Sequence, residues 1–211
     1  MSKREKRTIG QLLVLVGFSA VLSLGLLTFK STPVYAHVVP SPCDFTTGGG
    51  FVITDNGNHA NFGLVAGCKH GGFFGHVNFV DHDTTGLFAG LHVSSDQITA
   101  YVDPCINGCG TAPQYRDICG TADTNLFGQV YFRVRTYDGG EPGVGVDRFG
   151  IELTGISPPY TGVHAVVVST RYLAGGNIQL HKPNPSTTGP SLTEDQITAA
   201  CGGQTGADLG S

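Results

Sequence analysis

The sequence predicts an all-β fold: an antiparallel β-sandwich or barrel of about eight or nine short strands, preceded by an N-terminal signal helix and followed by a short C-terminal tail. Three observations carry this expectation. Runs of aromatic and β-branched residues alternate with polar ones, and a period of two marks a half-buried strand. Glycine makes up 32 of 211 residues, against ~7 % in ordinary proteins, which disfavours helices and suits tight turns. Between the leader and residue 190 no segment sustains a 3.6-residue period.

The chain opens with Lys3, Arg4, Lys6 and Arg7, then an apolar run from Leu12 to Phe29, then Val34-Tyr35-Ala36. Positive start, apolar centre and small residues are the three parts of a secretory signal. Cleavage after Ala36 is expected, giving residues 1–36 as signal peptide. The rival is an uncleaved anchor, because about 18 apolar residues is the lower limit for a span; Gly17, Ser19, Ser23 and Gly25 dilute the run. In both cases the folded part is exported, and the membrane is met only through an uncleaved leader.

The strands follow in order. Phe51-Val52-Ile53 leads into the turn Asp55-Asn56-Gly57-Asn58 and then His59 to Ala66, a hairpin signal. His76 to Asp81, Leu91 to Val93 and Ile98 to Val102 come next. Gln129 to Tyr137 is the cleanest alternation, with Val130, Phe132 and Val134 on one side and Tyr131, Arg133 and Arg135 on the other. Phe149 to Leu153, Ala165 to Ser169 and Asn177 to His181 complete a secreted β-rich domain over residues 37–183. Residues 184–211 read as a linker and tail rich in Pro, Ser, Thr and Gly. Within it, Thr193-Glu194-Asp195-Gln196 has capping-box spacing and predicts a short helix ending at Ala200. No sorting or lipidation signal closes the tail, so release from the cell is the expectation.

Charge excludes some partners. Removing the leader's five basic and one acidic residue from 12 and 16 leaves 7 against 15, a net charge of −8. Such a surface repels phosphate backbones and anionic lipid, so nucleic acid is not an expected partner. A polysaccharide, a cell-surface protein or bound calcium is compatible with it.

All six cysteines lie after the leader, where an oxidising exterior favours disulfides. Cys43 and Cys68 are centred at nearly the same point as the Asp55–Asn58 turn, so an antiparallel ladder brings them within reach. Cys105 and Cys119 are centred on Ala112 within a second loop, which leaves Cys109 for Cys201. Zinc held by Cys105, Cys109 and Cys119 is the rival reading.

Candidate calcium ligands are Asp81 and Asp83 at a strand end and Asp138 in the turn Tyr137 to Gly143. That turn resembles the Asp-x-Gly-x-Pro turn of cadherin-like modules, in which the aspartate can ligate calcium. Calcium takes six to eight oxygens, and a hairpin loop shaped by Gly and Pro is the plainer reading of the same residues. Eight histidines include the Val80-Asp81-His82-Asp83 run. His76 and His82 are ~20 Å apart on an extended strand, too far to share a metal. No Gly-x-Ser-x-Gly elbow or His-Glu-x-x-His is present. Thr47-Gly48-Gly49-Gly50 precedes a strand, so it is no phosphate cradle. No catalytic residue is assigned.

Five segments together resemble the post-COAP domain family of bacterial secreted modules. They are Thr47 to Val52, Asn61 to Gly67, Gly75 to His82, Tyr137 to Gly143 and Leu173 to Lys182, in the family's order. The resemblance implies an extracytoplasmic β-rich domain and carries no activity or catalytic residue. The Cys105–Cys119 loop and the Cys201 tail depart from the common pattern. The function expected is a non-catalytic secreted or cell-surface β module for extracellular interaction or structure. The rival classes are a carbohydrate-active or other hydrolytic enzyme and a calcium-dependent adhesive domain.

Overall fold

A computed structural model describes residues 37–105, 110, 114–158, 160 and 170–203. The leader, Cys109 and the strand expected at Ala165 to Ser169 lie outside the described residues. Nine strands follow one another: β1 (Phe45–Ile53), β2 (His59–Lys69), β3 (Gly72–Asp81), β4 (His92–Val102), β5 (Tyr115–Thr124), β6 (Gly128–Tyr137), β7 (Arg148–Thr154), β8 (Arg171–Tyr172) and β9 (Gly175–His181). One helix, α1 (Glu194–Ala200), ends the described chain. The strands form one antiparallel sheet in the order β8-β7-β6-β5-β4-β3-β2-β1-β9.

The sheet curls into a half-barrel, and its aromatic core shows why. Phe62 on β2 stacks on Phe149 of β7 with ring centroids 4.1 Å apart. Five strand spacings separate β2 from β7, ~24 Å if the sheet were flat. Burying both rings therefore requires the sheet to roll. Alternate residues line the inside: Val52, Ala60, Phe62, Leu64, Val77, Phe79, Ile118, Val134, Ile151 and Ile178 are all closed to solvent.

The two edges meet where the chain leaves β8 for β9. These strands sit at opposite ends of the order yet are separated by Leu173 and Ala174 alone. The Ala174 N–H donates to the Phe51 carbonyl and the Leu173 N–H to that of Asp147. Beyond this point, acidic side chains replace the missing ladder. Asp147 Oδ2 accepts the Ile178 N–H at 2.7 Å, and Asp138 Oδ2 accepts the Leu180 N–H at 2.8 Å. Two carboxylates thus cap the free edge of β9, which would otherwise invite another strand. On its other edge β9 approaches β1 closely. Gly176 has φ +101°, and a Cβ there would overlap the Gly49 carbonyl oxygen; this explains glycine at both strands.

Two bridges are defined. Cys43 joins Cys68 with Cα atoms 5.9 Å apart, across the end of the β1–β2 ladder. Cys119 joins Cys201, which corrects the pairings of Cys105 with Cys119 and of Cys109 with Cys201. The reason is register. β4 and β5 pair Ala100 with Cys119 and Val102 with Asp117, so Cys105 falls opposite position 114. Cys119 points instead to the outer face, where α1 lies. Cys105 is itself disulfide-bonded. With Cys105 and Cys119 so engaged, the zinc reading loses its thiolates.

The outer face of β4 and β5 is covered by the C-terminal segment. Ile197 and Cys201 pack on Ala100, Val102 and Cys119, with Val39 and Leu192 at the margin. Thr193 caps α1: its hydroxyl accepts the Gln196 N–H, and the Gln196 side chain accepts the Thr193 N–H. Residues 184–192, read from composition as a linker, are docked on the β2–β3 turn. There the His70 and Gly71 N–H groups donate to the Ser186 and Thr188 carbonyls. Among the described residues no helix is long and apolar enough to cross a membrane.

Candidate functional site

One mouth of the half-barrel gathers polar side chains around a small cavity. The hairpin after β1 supplies Thr54, Asp55, Asn56 and Asn58, the end of β3 supplies Asp81, and the following loop supplies Asp83, Thr85 and Phe88. Asp55, Asn56, Asp81, Asp83, Phe88 and Tyr160 line about 160 Å³. Asp83 accepts hydrogen bonds from the Thr54 hydroxyl at 2.8 Å, Asn56 Nδ2 at 2.6 Å and Asn58 Nδ2 at 2.8 Å. Burial opposes its ionisation, but these donors outweigh it and hold the Asp83 pKa below the ordinary carboxylate value. Asp81 accepts the Asp83 N–H at 2.8 Å and the Tyr160 hydroxyl at 2.6 Å. Burial, with the Asp81 carboxylate alongside, pushes the Tyr160 phenol far above its ordinary range. The Tyr160 ring stands edge-on to Phe79 and Phe88.

An open groove of about 560 Å³ flanks this cavity, lined by Gly57, Asn58, His59, Asn61 and His82. His59 stacks on Phe51 at 4.5 Å. The mouth therefore presents amide, imidazole and carboxylate groups beside aromatic faces. It can exchange hydrogen bonds with a hydroxyl-rich ligand. Asp81 and Asp83 rise from the same wall, two residues apart, and the amide and hydroxyl donors around Asp83 favour its ionised form.

Asp138 does not join them. Its carboxylate bonds β9 at Leu180, which pairs with Thr46 at the start of β1. Thr54, which bonds Asp83, lies past the end of β1. Eight extended residues separate the two, ~26 Å, so the expected three-aspartate calcium site is not assembled. Among the described residues no group of three or more His, Cys, Asp or Glu side chains is placed to hold a metal.

Two further charged clusters are buried elsewhere. At the opposite mouth Asp44 pairs with Arg116, and Tyr101 donates to Asp44 at 2.7 Å. Burial and the Asp44 charge raise the Tyr101 phenol well above its usual value. On the outer face Asp117 grips Arg135 with both oxygens at 2.7 Å, and Arg133 bonds Glu152 at 3.0 Å. Burial draws the Arg133 guanidinium down to about 10, so it remains charged at neutral pH. His37 lies against this cluster, with Nε2 3.9 Å from Asp117 and Nδ1 2.9 Å from Glu194.

A serine–histidine contact escaped the sequence reading. Ser95 Oγ lies 3.0 Å from His76 Nδ1, and His76 Nε2 lies 2.7 Å from Asn78 Nδ2. Nineteen positions separate Ser95 from His76, and only the β3–β4 pairing brings them together. The Ser95 oxygen also accepts the Val77 N–H at 2.8 Å. That bond ties it to the point where β3 and β4 diverge.

No family model matches the chain, and neither a curated protein nor a solved structure is significantly similar to it.

Proposed function

We propose that this protein is exported, cut after Ala36, and acts as a non-catalytic β module that binds extracellular polysaccharide through the mouth carrying Asp81, Asp83 and Tyr160. One observation carries the reading: the Asp81 and Asp83 carboxylates are committed to structural donors, while amide and imidazole edges face an open groove. Hydroxyl-rich ligands are recognised by such planar polar groups set beside aromatic rings. The five segments that resemble post-COAP modules support an extracytoplasmic role. They occupy β9, β1, β2, β3 and the turn bonded to β9, which are neighbours in the fold. Membership of that family is part of the proposal.

The test is retention of the oxidised, folded protein on insoluble polysaccharides and cell-wall material at low salt. Retention that falls when Asn58 and His82 are replaced by Ala agrees with the proposal. A folded protein that passes through every matrix counts against it. Release of new reducing ends during the incubation would favour the hydrolase reading instead.

A further inference from the structure

The amide nitrogen of His37 donates to the Glu194 carboxylate. It lies 2.5 Å from Glu194 Oε2, while the ring Nδ1 of the same residue lies 2.9 Å from Oε1. His37 is only 5 % exposed. Its position is set by the next residue: Val38 and Asp103 exchange both backbone hydrogen bonds, at 3.1 and 2.8 Å. The cluster beneath it is short of positive charge. Leaving the imidazole aside, the cluster holds Arg133 and Arg135 against Asp117 and Glu152, with Glu194 against His37: two cations and three carboxylates.

We infer that His37 is the amino terminus of the working protein and that its ammonium is a structural cation paired with Glu194. The inference rests on the proposed export and cleavage after Ala36. Water adds across the Ala36–His37 amide, cut by a peptidase that accepts small residues. The acyl carbon of Ala36 departs as a carboxylate, and the His37 nitrogen takes up protons to become an ammonium. The free amine has an ordinary pKa near ~8, and an adjacent carboxylate favours its charged form. Three cations then face three carboxylates. The new charge also lies at the first turn of α1, joined to it through Glu194, so processing fastens the new terminus to the last described element. In the uncut chain the same nitrogen is an uncharged amide with one hydrogen. Cleavage therefore completes the fold as well as releasing the protein.

Two measurements test this separately. N-terminal sequencing of the exported protein is expected to read His37-Val38-Val39; any other first residue overturns the cleavage. For the ion pair, recombinant protein starting at His37 is compared with protein starting at Ala36, each with and without Glu194→Gln. The extra residue is expected to lower the melting temperature by about 4 °C when Glu194 is present and to have little effect in the Glu194→Gln background. The His37 amine is also expected to acylate at least tenfold more slowly with Glu194 than with Glu194→Gln. Equal melting temperatures for the two starts, or effects that simply add, would overturn the ion pair whatever the sequencing finds.

Discussion

Asp117 and Arg135 form a two-pronged ion pair on the outer face of the sheet, with both N···O distances 2.7 Å and neither side chain open to solvent. They are direct cross-strand partners of β5 and β6. Such a pair contributes little relative to apolar packing, but breaking it leaves an uncompensated charge, which costs about 3–5 kcal/mol. Asp117→Asn is therefore expected to lower unfolding free energy by about that amount, measured by urea titration. A loss below ~1 kcal/mol would show that water reaches the arginines.

The same pair sets an acid limit. Burial raises the Asp117 pKa, but the charge of Arg135 and its hydrogen bonds, aided by Arg133 and His37, bring it below the ordinary value of 3.8. A depressed folded pKa gives stability that is complete above the unfolded value and is lost as pH falls through the folded one. Stability is thus expected to hold at pH 5 and to decline below about pH 4, with the decline smaller in Asp117→Asn. An equal acid slope in both proteins would remove Asp117 from this role.

The seam between β9 and the β6–β7 turn depends on Asp147, which accepts the Gly139 and Ile178 N–H groups at 2.8 and 2.7 Å. Asp147→Ala orphans both donors, at about 1–3 kcal/mol each. Hydrogen exchange is the sensitive readout. Ile178 is expected to exchange faster in the variant, while Ile118 in the central β5 changes less. Uniform acceleration along the chain would mean that the seam is no local unit.

The bridge from Cys119 to Cys201 spans 82 residues and that from Cys43 to Cys68 spans 25. Loop closure of these lengths contributes about 4.5 and 3.5 kcal/mol. Cys201→Ser is expected to release α1 and cost more than Cys68→Ser, read as the drop in urea midpoint. Peptide mapping without reduction that recovers Cys105 linked to Cys119 would contradict the register on which this ranking depends.

Much of this architecture was legible because it is local. The alternation at Gln129 to Tyr137 became β6 (Gly128–Tyr137), and the capping box at Thr193 became the start of α1, which ends at Ala200 as expected. Hairpin symmetry likewise brought Cys43 to Cys68. β5 was missed because Arg116, Asp117 and Gly120 interrupt the apolar alternation that marks a strand. Their partners, Asp44, Arg135 and a close-packed Phe132, come from elsewhere in the chain. The expected pairing of Cys105 with Cys119 failed for a related reason: two cysteines do not reveal which face of a strand they occupy. Asp81 and Asp83 were recognised as a pair, but the donors that claim Asp83 lie 25 to 29 positions away. Asp138 looked like a ligand and serves an unpaired strand edge, a role visible only once β9 is in place.

The most direct test of the claim that the mouth's carboxylates serve structure and recognition, not a reaction, is the stability of Asp81→Asn and Asp83→Asn. Catalytic groups are held at a cost in stability, so replacing one commonly leaves a protein as stable or more stable. Structural acceptors do the reverse. Asp83→Asn is expected to lower unfolding free energy by about 2–3 kcal/mol, since it sets an amide against the donors of Thr54, Asn56 and Asn58. A urea midpoint for either variant equal to or above that of the parent would contradict the account.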